Sequence, residues 1–411
     1  MKQFDEHDWE RFEAALRDPE PWTLADALLA PPADPVALRR LAAQLDEERA
    51  AARALLAPLL ASLPRFEAAN IASDSQFQTR GVVDVLNESA RPLRNAQPLL
   101  ALAAATAAVT IATNLTSVDA CGLRVLGAAH VERAWALFFV GRYREAEDAL
   151  RQADHAFDAD RQATDWDRAH VSLVRANVYV ETHRLDAASD EALSAAAAFD
   201  SFGDQKYYLA ASLVEGGIRL MQRDYRGGAE VLDRLAEKAA RAGDRLHVAR
   251  ARQTAGNCYI ELGEHETAAA YFHEALAIWD ELGLDTERVR TNWSLGVLAR
   301  SRGNFDEALA RIDEARRAFE TMGIVNDAAL ARLDLAEVLL LANRPGEVAP
   351  LLRDVVVSFT SEGMMQNARL ALAYLREAVE AGGIEAAVIR RVREYLEELP
   401  ANPTSSFFPL A

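Results

Sequence analysis

A turn-forming position recurs along this chain at Gly141, His183, Arg223, Gly263, Gly303 and Asn343, with a spacing of 42 residues and then of 40 four times over. Gly383 falls one further period on. A second series, Gly203, Gly243, Gly283, Gly323 and Gly363, keeps the 40-residue period without slippage. Self-similarity at such a period restricts the chain to a stack of one supersecondary unit, each copy burying its apolar face against the next. Length decides little beside it, since 411 residues would otherwise suit two or three ordinary domains.

Between the markers the apolar residues follow helical spacing, as in Leu295, Leu298 and Ala299 or Ala268, Phe272, Ala275 and Leu276, so each period holds two helices. The glycines stand where a helix ends and a left-handed residue is wanted. Helices that cross closely need small residues at the crossing, and the first helix supplies Ala134, Ala176, Gly216, Gly256, Gly296 and Ala336. The second helix answers with Ala146, Ala188, Gly228, Ala268, Ala308 and Val348, and seven residues later with Ala153, Ala195, Leu235, Ala275, Ala315 and Val355. A bulky residue precedes the second glycine at Phe199, Trp279, Phe319 and Phe359.

The unit Ala255-Gly256-Asn257-Cys258-Tyr259, Leu262-Gly263, Ala268, Phe272, Ala275 resembles the tetratricopeptide repeat (TPR) consensus, as does its neighbour with Leu295-Gly296, Gly303-Asn304-Phe305, Ala308 and Ala315. The resemblance covers six units over about residues 127–363. It implies an all-α fold, a right-handed superhelical solenoid of stacked antiparallel helix hairpins. The usual unit is shorter, roughly 34 residues. The long form resembles the arrays of bacterial regulatory TPR proteins and of polarity adaptors of the Leu-Gly-Asn type, which bind proteins or peptides.

The array is expected to span residues 76–398, with degenerate hairpins at 80–114 and 368–398 at its ends. In the first, Val82, Val83, Val85 and Leu86 lie on one helix, a break falls at Pro92 to Asn95, and an Ala-rich helix follows. Residues 1–75 read as a helical N-terminal region cut into short pieces by prolines including Pro58, with one helix opening near Asp34 and running toward Leu60. The last hairpin carries Arg390, Arg391, Arg393 and Glu394 on an outer face, as a solvent-facing cap would. Residues 399–411 read as an extended tail with Phe407 and Phe408 as anchors.

The formal charge of −18 argues against nucleic acid and anionic membranes as partners, because phosphate recognition needs clustered Lys and Arg. The most apolar run, Leu99 to Thr113, falls short of the roughly 20 residues of a membrane span. No basic segment followed by an apolar stretch opens the sequence, and two distant cysteines, Cys121 and Cys258, suggest neither a disulfide framework nor a thiolate metal site. These features together suggest a cytoplasmic protein.

Candidates for chemistry dissolve into packing. His265 and His273 lie in different segments and form no HExxH pair, Cys258 holds a repeat position that predicts burial, and no phosphate-binding or nucleophile-elbow motif occurs. No cofactor, metal site or catalytic residue is expected. What remains is a surface. In TPR arrays the first helix of each hairpin lines the concave face, which places Arg250, Gln253, Asn257, Arg290, Trp293 and Arg300 there, with Asn177 farther upstream. The guanidinium groups suit carboxylates, Asn257 a peptide backbone and Trp293 an apolar anchor, so an acidic peptide or C-terminal carboxylate fits the strip. The competing use of these arginines is internal pairing with Glu261, Glu264 or Glu287. Upstream the same face reads as apolar, through Val131, Trp135, Phe138, Phe139, Leu173, Val174, Val180, Leu213 and Leu220, and suits a hydrophobic helix or the chain's own N-terminal region. The expected function is that of a non-catalytic scaffold or regulatory adaptor. The alternative is a self-assembling module in which the end caps and tail mediate oligomerisation.

Overall fold

A computed structural model describes residues 35–61, 74–116, 122–161, 163–348, 351, 387 and 389–393. Cys121, Gly363, Gly383, Val355, Phe359 and the 399–411 tail lie outside the described residues. Among the described residues every long element is an α-helix. The chain divides into two compact units, Met1–Val178 and Tyr179–Ala411.

In the first unit, α1 (Pro35–Ala61) packs on α2 (Arg80–Ala96), which pairs with α3 (Pro98–Leu115). Helix α4 (Gly122–Phe139) packs on α3 and on α2, and pairs with α5 (Tyr143–Ala159). Helix α6 (Asp165–Glu181) carries the division between the units at Val178. Gly81 permits the approach of α1 and α2, because a Cβ there would lie 2.6 Å from the carbonyl oxygen of Glu48. The core runs through Leu56, Val83, Leu86, Ala105, Ile111, Leu137, Leu150 and Phe157.

The second unit continues through α7 (Leu185–Ser201), α8 (Gln205–Met221), α9 (Tyr225–Arg241), α10 (Arg245–Glu261), α11 (His265–Leu282), α12 (Asp285–Ser301), α13 (Phe305–Met322) and α14 (Val325–Leu341). Each of these helices packs on the next, and the first helices also meet side by side, α8 on α10, α10 on α12 and α12 on α14. This is the stack of antiparallel hairpins that the period demands.

The local code is legible at each hairpin tip. Gly141, Gly263 and Gly303 have φ of 76°, 73° and 75°, and His183, Arg223 and Asn343 take the same left-handed conformation at 51°, 63° and 60°. Paired backbone bonds close the helix behind them, as in Gly263 N to Ile260 O (3.0 Å) and Glu264 N to Tyr259 O (2.9 Å). The next helix is opened where possible by an aspartate: Asp224 accepts from Gly227 N (3.0 Å) and Asp244 from His247 N (3.0 Å). The crossing series is buried. A Cβ on Gly216, Gly256 or Gly296 would meet Leu232, Phe272 or Ile312 at 2.5, 2.5 and 2.6 Å. Phe199, Trp279 and Phe319 are fully buried, each contributing about 2–3 kcal/mol by removal of apolar surface from water.

Two expectations about prolines need correction. Pro58 does not break its helix but lies inside α1, at the loss of its own backbone N–H bond. Pro92 likewise lies inside α2, and the break falls at Gln97, immediately before Pro98 opens α3. The upstream apolar face is largely covered: Val131, Leu173 and Val174 are buried, Trp135 and Phe138 half-buried, and Phe139 exposed. Arg390 and Arg393 do more than face solvent, since they bond Glu337 and Asp334. The apolar run near Leu99 forms an 18-residue helix, α3, long and apolar enough to cross a membrane by length and composition alone. Here Ala101, Ala105, Ala108, Ile111 and Ala112 pack in the core.

Candidate partner-binding surface

Arg250, Gln253 and Asn257 project from α10 at i, i+3 and i+7, a spacing that places them on one face. Arg250 is exposed and Asn257 half-buried, and neither side chain has a hydrogen-bonding partner among the described residues. Gln253 is tied down: Thr291, on α12, donates to its Oε1 (2.9 Å), and Thr291 in turn accepts from the buried indole of Trp279 (3.0 Å).

One hairpin on, the equivalent positions are occupied from within. Arg290 bonds Asp327 (2.9 Å) and lies 3.5 Å from Glu287. These two carboxylates hold its guanidinium charged against the cost of burial. Trp293 donates through Nε1 to Asp334 (2.7 Å) and stacks edge-on against Phe319, with ring centroids 5.8 Å apart. Arg300 reaches both Asp334 (3.2 Å) and Glu337 (2.6 Å). Glu264, a candidate partner for these arginines, takes Arg226 instead (2.8 Å). Asn177 belongs to the first unit, where its Nδ2 donates to the carbonyl of Leu173 (2.8 Å).

The residues that sequence reasoning missed are the acceptors. Asp334 and Glu337 are 0% and 2% exposed, and burial of bare carboxylates is tolerated only with such partners. A signal for them exists: each arginine meets an opposite charge close to one period away. Arg290 and Asp327 are 37 residues apart, Arg300 and Glu337 also 37. The first unit repeats the device, with Arg124 bonding the fully buried Asp167 (3.1 Å) and Arg91 bonding Glu132 (3.0 Å). Neighbouring first helices are therefore bridged by polar side chains, which narrows the open part of the strip to Arg250 and Asn257.

Among the described residues no group of three or more His, Cys, Asp and Glu side chains is placed to hold a metal ion. Cys258 is fully buried beside Gly228, and burial pushes its thiol up to about 11, away from nucleophilic use at neutral pH. His265 Nε2 lies 3.4 Å from Ser301 Oγ. Asp233 accepts from Tyr259 (2.8 Å), Tyr271 (2.7 Å) and Arg252 (2.9 Å), a polar staple joining α9, α10 and α11.

A family model described as tetratricopeptide repeat matches residues 249–278, the span of α10 and α11 that contains Arg250 and Asn257. No curated protein matches the chain by sequence. Among solved structures, the apo form of RapI is similar at 15% identity and a TM-score of 0.51, over 67% of this chain and 97% of that one. A signal transduction ATPase with a tetratricopeptide repeat sensor from Pyrococcus horikoshii is 13% identical with a TM-score of 0.49, over 80% of this chain and 53% of that one. The apo form of the quorum sensor NprR from B. thuringiensis is 12% identical with a TM-score of 0.46, over 78% of this chain and 99% of that one. At such identities the likeness to RapI speaks for the fold alone.

Proposed function

Because this chain is a tetratricopeptide repeat protein, we propose that it serves as a non-catalytic, cytoplasmic regulatory adaptor that binds a protein or peptide along its first helices. The observation that carries this reading is the contrast between α10 and α12. Arg290, Trp293 and Arg300 are held by carboxylates of the chain itself, whereas the guanidinium of Arg250 and the carboxamide of Asn257 make no side-chain hydrogen bond among the described residues.

An acidic peptide suits that pair. A carboxylate receives the two parallel N–H groups of Arg250, and Asn257 both donates to and accepts from an extended backbone. The acidic balance of the chain disfavours polyanions such as nucleic acid or an anionic membrane, and a single carboxylate is drawn in only beside a local arginine; Arg250 is exposed and makes no side-chain hydrogen bond among the described residues, with the charge of Asp244 nearby.

The test is capture of partners from the source cell by the intact protein and by an Arg250→Ala/Asn257→Ala variant, with bound proteins identified by mass. The expected result is loss of a defined set of partners by at least about tenfold, since a charged hydrogen-bonded pair contributes on the order of 1.5–3 kcal/mol. Equal retention by both proteins removes this site. Turnover of substrate by rigorously purified protein, in an unbiased hydrolase screen, removes the non-catalytic reading.

A further inference from the structure

The turns that lead from each second helix to the next first helix change character along the second unit. At Gly203 and Gly243 the following residue is an aspartate whose carboxylate caps the next helix, Asp204 accepting from Tyr207 N (3.3 Å) and Asp244 from His247 N (3.0 Å). At Gly283 and Gly323 the same position holds Leu284 and Ile324, and neither supplies a side-chain cap. Leu282 and Met322 stand immediately before these glycines. Leu282, Leu284 and Met322 are 41%, 37% and 41% exposed, so large apolar side chains open to solvent are gathered at two neighbouring turns. Thr286 Oγ1, in the first turn of α12, lies 4.0 Å from Met322 Sδ, which makes the two turns one continuous edge.

Helix termination explains part of this pattern. Ile324 leans on the cluster of Val289 and Phe319, as an apolar residue after a left-handed glycine commonly does. Leu282 and Met322 end α11 and α13 and stay exposed. The charges around the edge are already matched within the chain: Arg288 lies against Asp280 (3.6 Å) and Asp285 (2.9 Å), Arg245 reaches Glu281 (2.7 Å), and Arg316 reaches Glu320 (2.7 Å). An occupant therefore gains from apolar burial and little from charge.

We propose that this edge is the docking site of the chain's own C-terminal segment, with Phe407, Phe408 and Leu410 laid across Leu282, Leu284 and Met322. The segment 399–411, outside the described residues, contains no Asp, Glu, Lys, Arg or His, in a chain of which 26% of the residues are charged. Its starting point is close. Arg393 bonds Asp334, and Ile324 stands ten residues before Asp334, about 15 Å along the α14 axis. Leu284 is one first helix farther, about 10 Å to the side. The chain from Arg393 to Phe407 spans up to about 46 Å when extended, which covers that path with slack. Pro400 and Pro403 restrict the backbone before the aromatic residues and reduce the entropy lost on docking. Docked in cis, the segment shields from a second chain an apolar edge otherwise open to association.

The experiment follows chymotryptic cleavage after Phe407 in the full chain by intact mass, at several protein concentrations, with molar mass read by light scattering on the same samples. Wild type is compared with Leu282→Asp/Met322→Asp and with Met221→Asp, which charges an exposed apolar residue at a turn of the other series. The edge variant is expected to be cleaved at least about tenfold faster than wild type, because cleavage follows the undocked fraction. Met221→Asp is expected to match wild type, and no rate is expected to depend on protein concentration. Leu282→Ser/Met322→Ser is the second variant, in case the first fails to fold, with an expected acceleration of at least about fivefold. Equal rates in wild type and the edge variants, or an equal acceleration in Met221→Asp, overturn the proposal. Protection that grows with protein concentration, together with a molar mass that falls in the edge variant, assigns the edge to the tail of a second copy and overturns docking in cis.

Discussion

The indole nitrogen of Trp293 donates to Oδ2 of Asp334 over 2.7 Å, and the other oxygen of that carboxylate accepts from Arg300 and Arg393. A residue placed by its repeat position as an anchor for a partner is thus held by a fully buried acid on the next first helix. Removing the acid takes the acceptor of the Trp293 indole and one buried carboxylate from Arg300 and Arg393, with Arg300 keeping Glu337. Asp334→Ala is expected to destabilise the protein by about 3–5 kcal/mol, as breaking buried pairs does. Asp334→Asn, which keeps an acceptor for Trp293, should lose less. Urea unfolding followed by tryptophan fluorescence measures both, and a loss below about 1 kcal/mol for the alanine variant contradicts the role assigned to Asp334.

Gly256 faces the ring of Phe272, and a Cβ there would lie 2.5 Å from Cε1 of that fully buried side chain. A rigid ring has little room to yield. Gly256→Ala should therefore cost about 1–3 kcal/mol despite the higher helix propensity of alanine. Gly217, one residue along at the equivalent hairpin, has open space around its Cβ position. Gly217→Ala should be neutral or stabilising by up to about 1 kcal/mol. Thermal melts of the two variants that shift by the same amount would show that the crossing is not the constraint.

His130 is 8% exposed, and burial, assisted by Arg133, holds its imidazole down to about 4. The folded state therefore resists a proton that the unfolded chain accepts near its ordinary 6.5. Stability from the neutral ring is fully present above pH 6.5 and declines as the pH falls toward 4. Between pH 7 and pH 4.5 the wild type should lose about 2–3 kcal/mol more than His130→Leu. Parallel stability curves for the two proteins would show that His130 makes no such contribution.

The sequence by itself determined the hairpin stack, because the determinants of a repeat are local and recur. A left-handed residue ends each helix at Gly263 as at His183, a small residue marks each crossing at Gly216 as at Gly296, and all are read without knowing what they touch. Prolines misled the reading of α1 and α2, since a proline inside a helix removes its own N–H bond and can bend a helix without ending it. The burial of Val131, Leu173 and Val174 was also hidden, because helical spacing identifies an apolar face and not what covers it.

The candidate surface was legible only as a set of positions. Which of its side chains remain open was decided by the tertiary structure, because charge pairing depends on which helices stand side by side. Arg290, Trp293 and Arg300 sit one period after Arg250, Gln253 and Ile260, yet Asp327, Asp334 and Glu337 come within bonding distance of the former set only when α14 packs on α12. The same packing principle left Asn87 with a buried oxygen that meets no donor among the described residues, a condition that no pattern of residues along α2 discloses, since an unmet hydrogen bond is a property of the surrounding atoms.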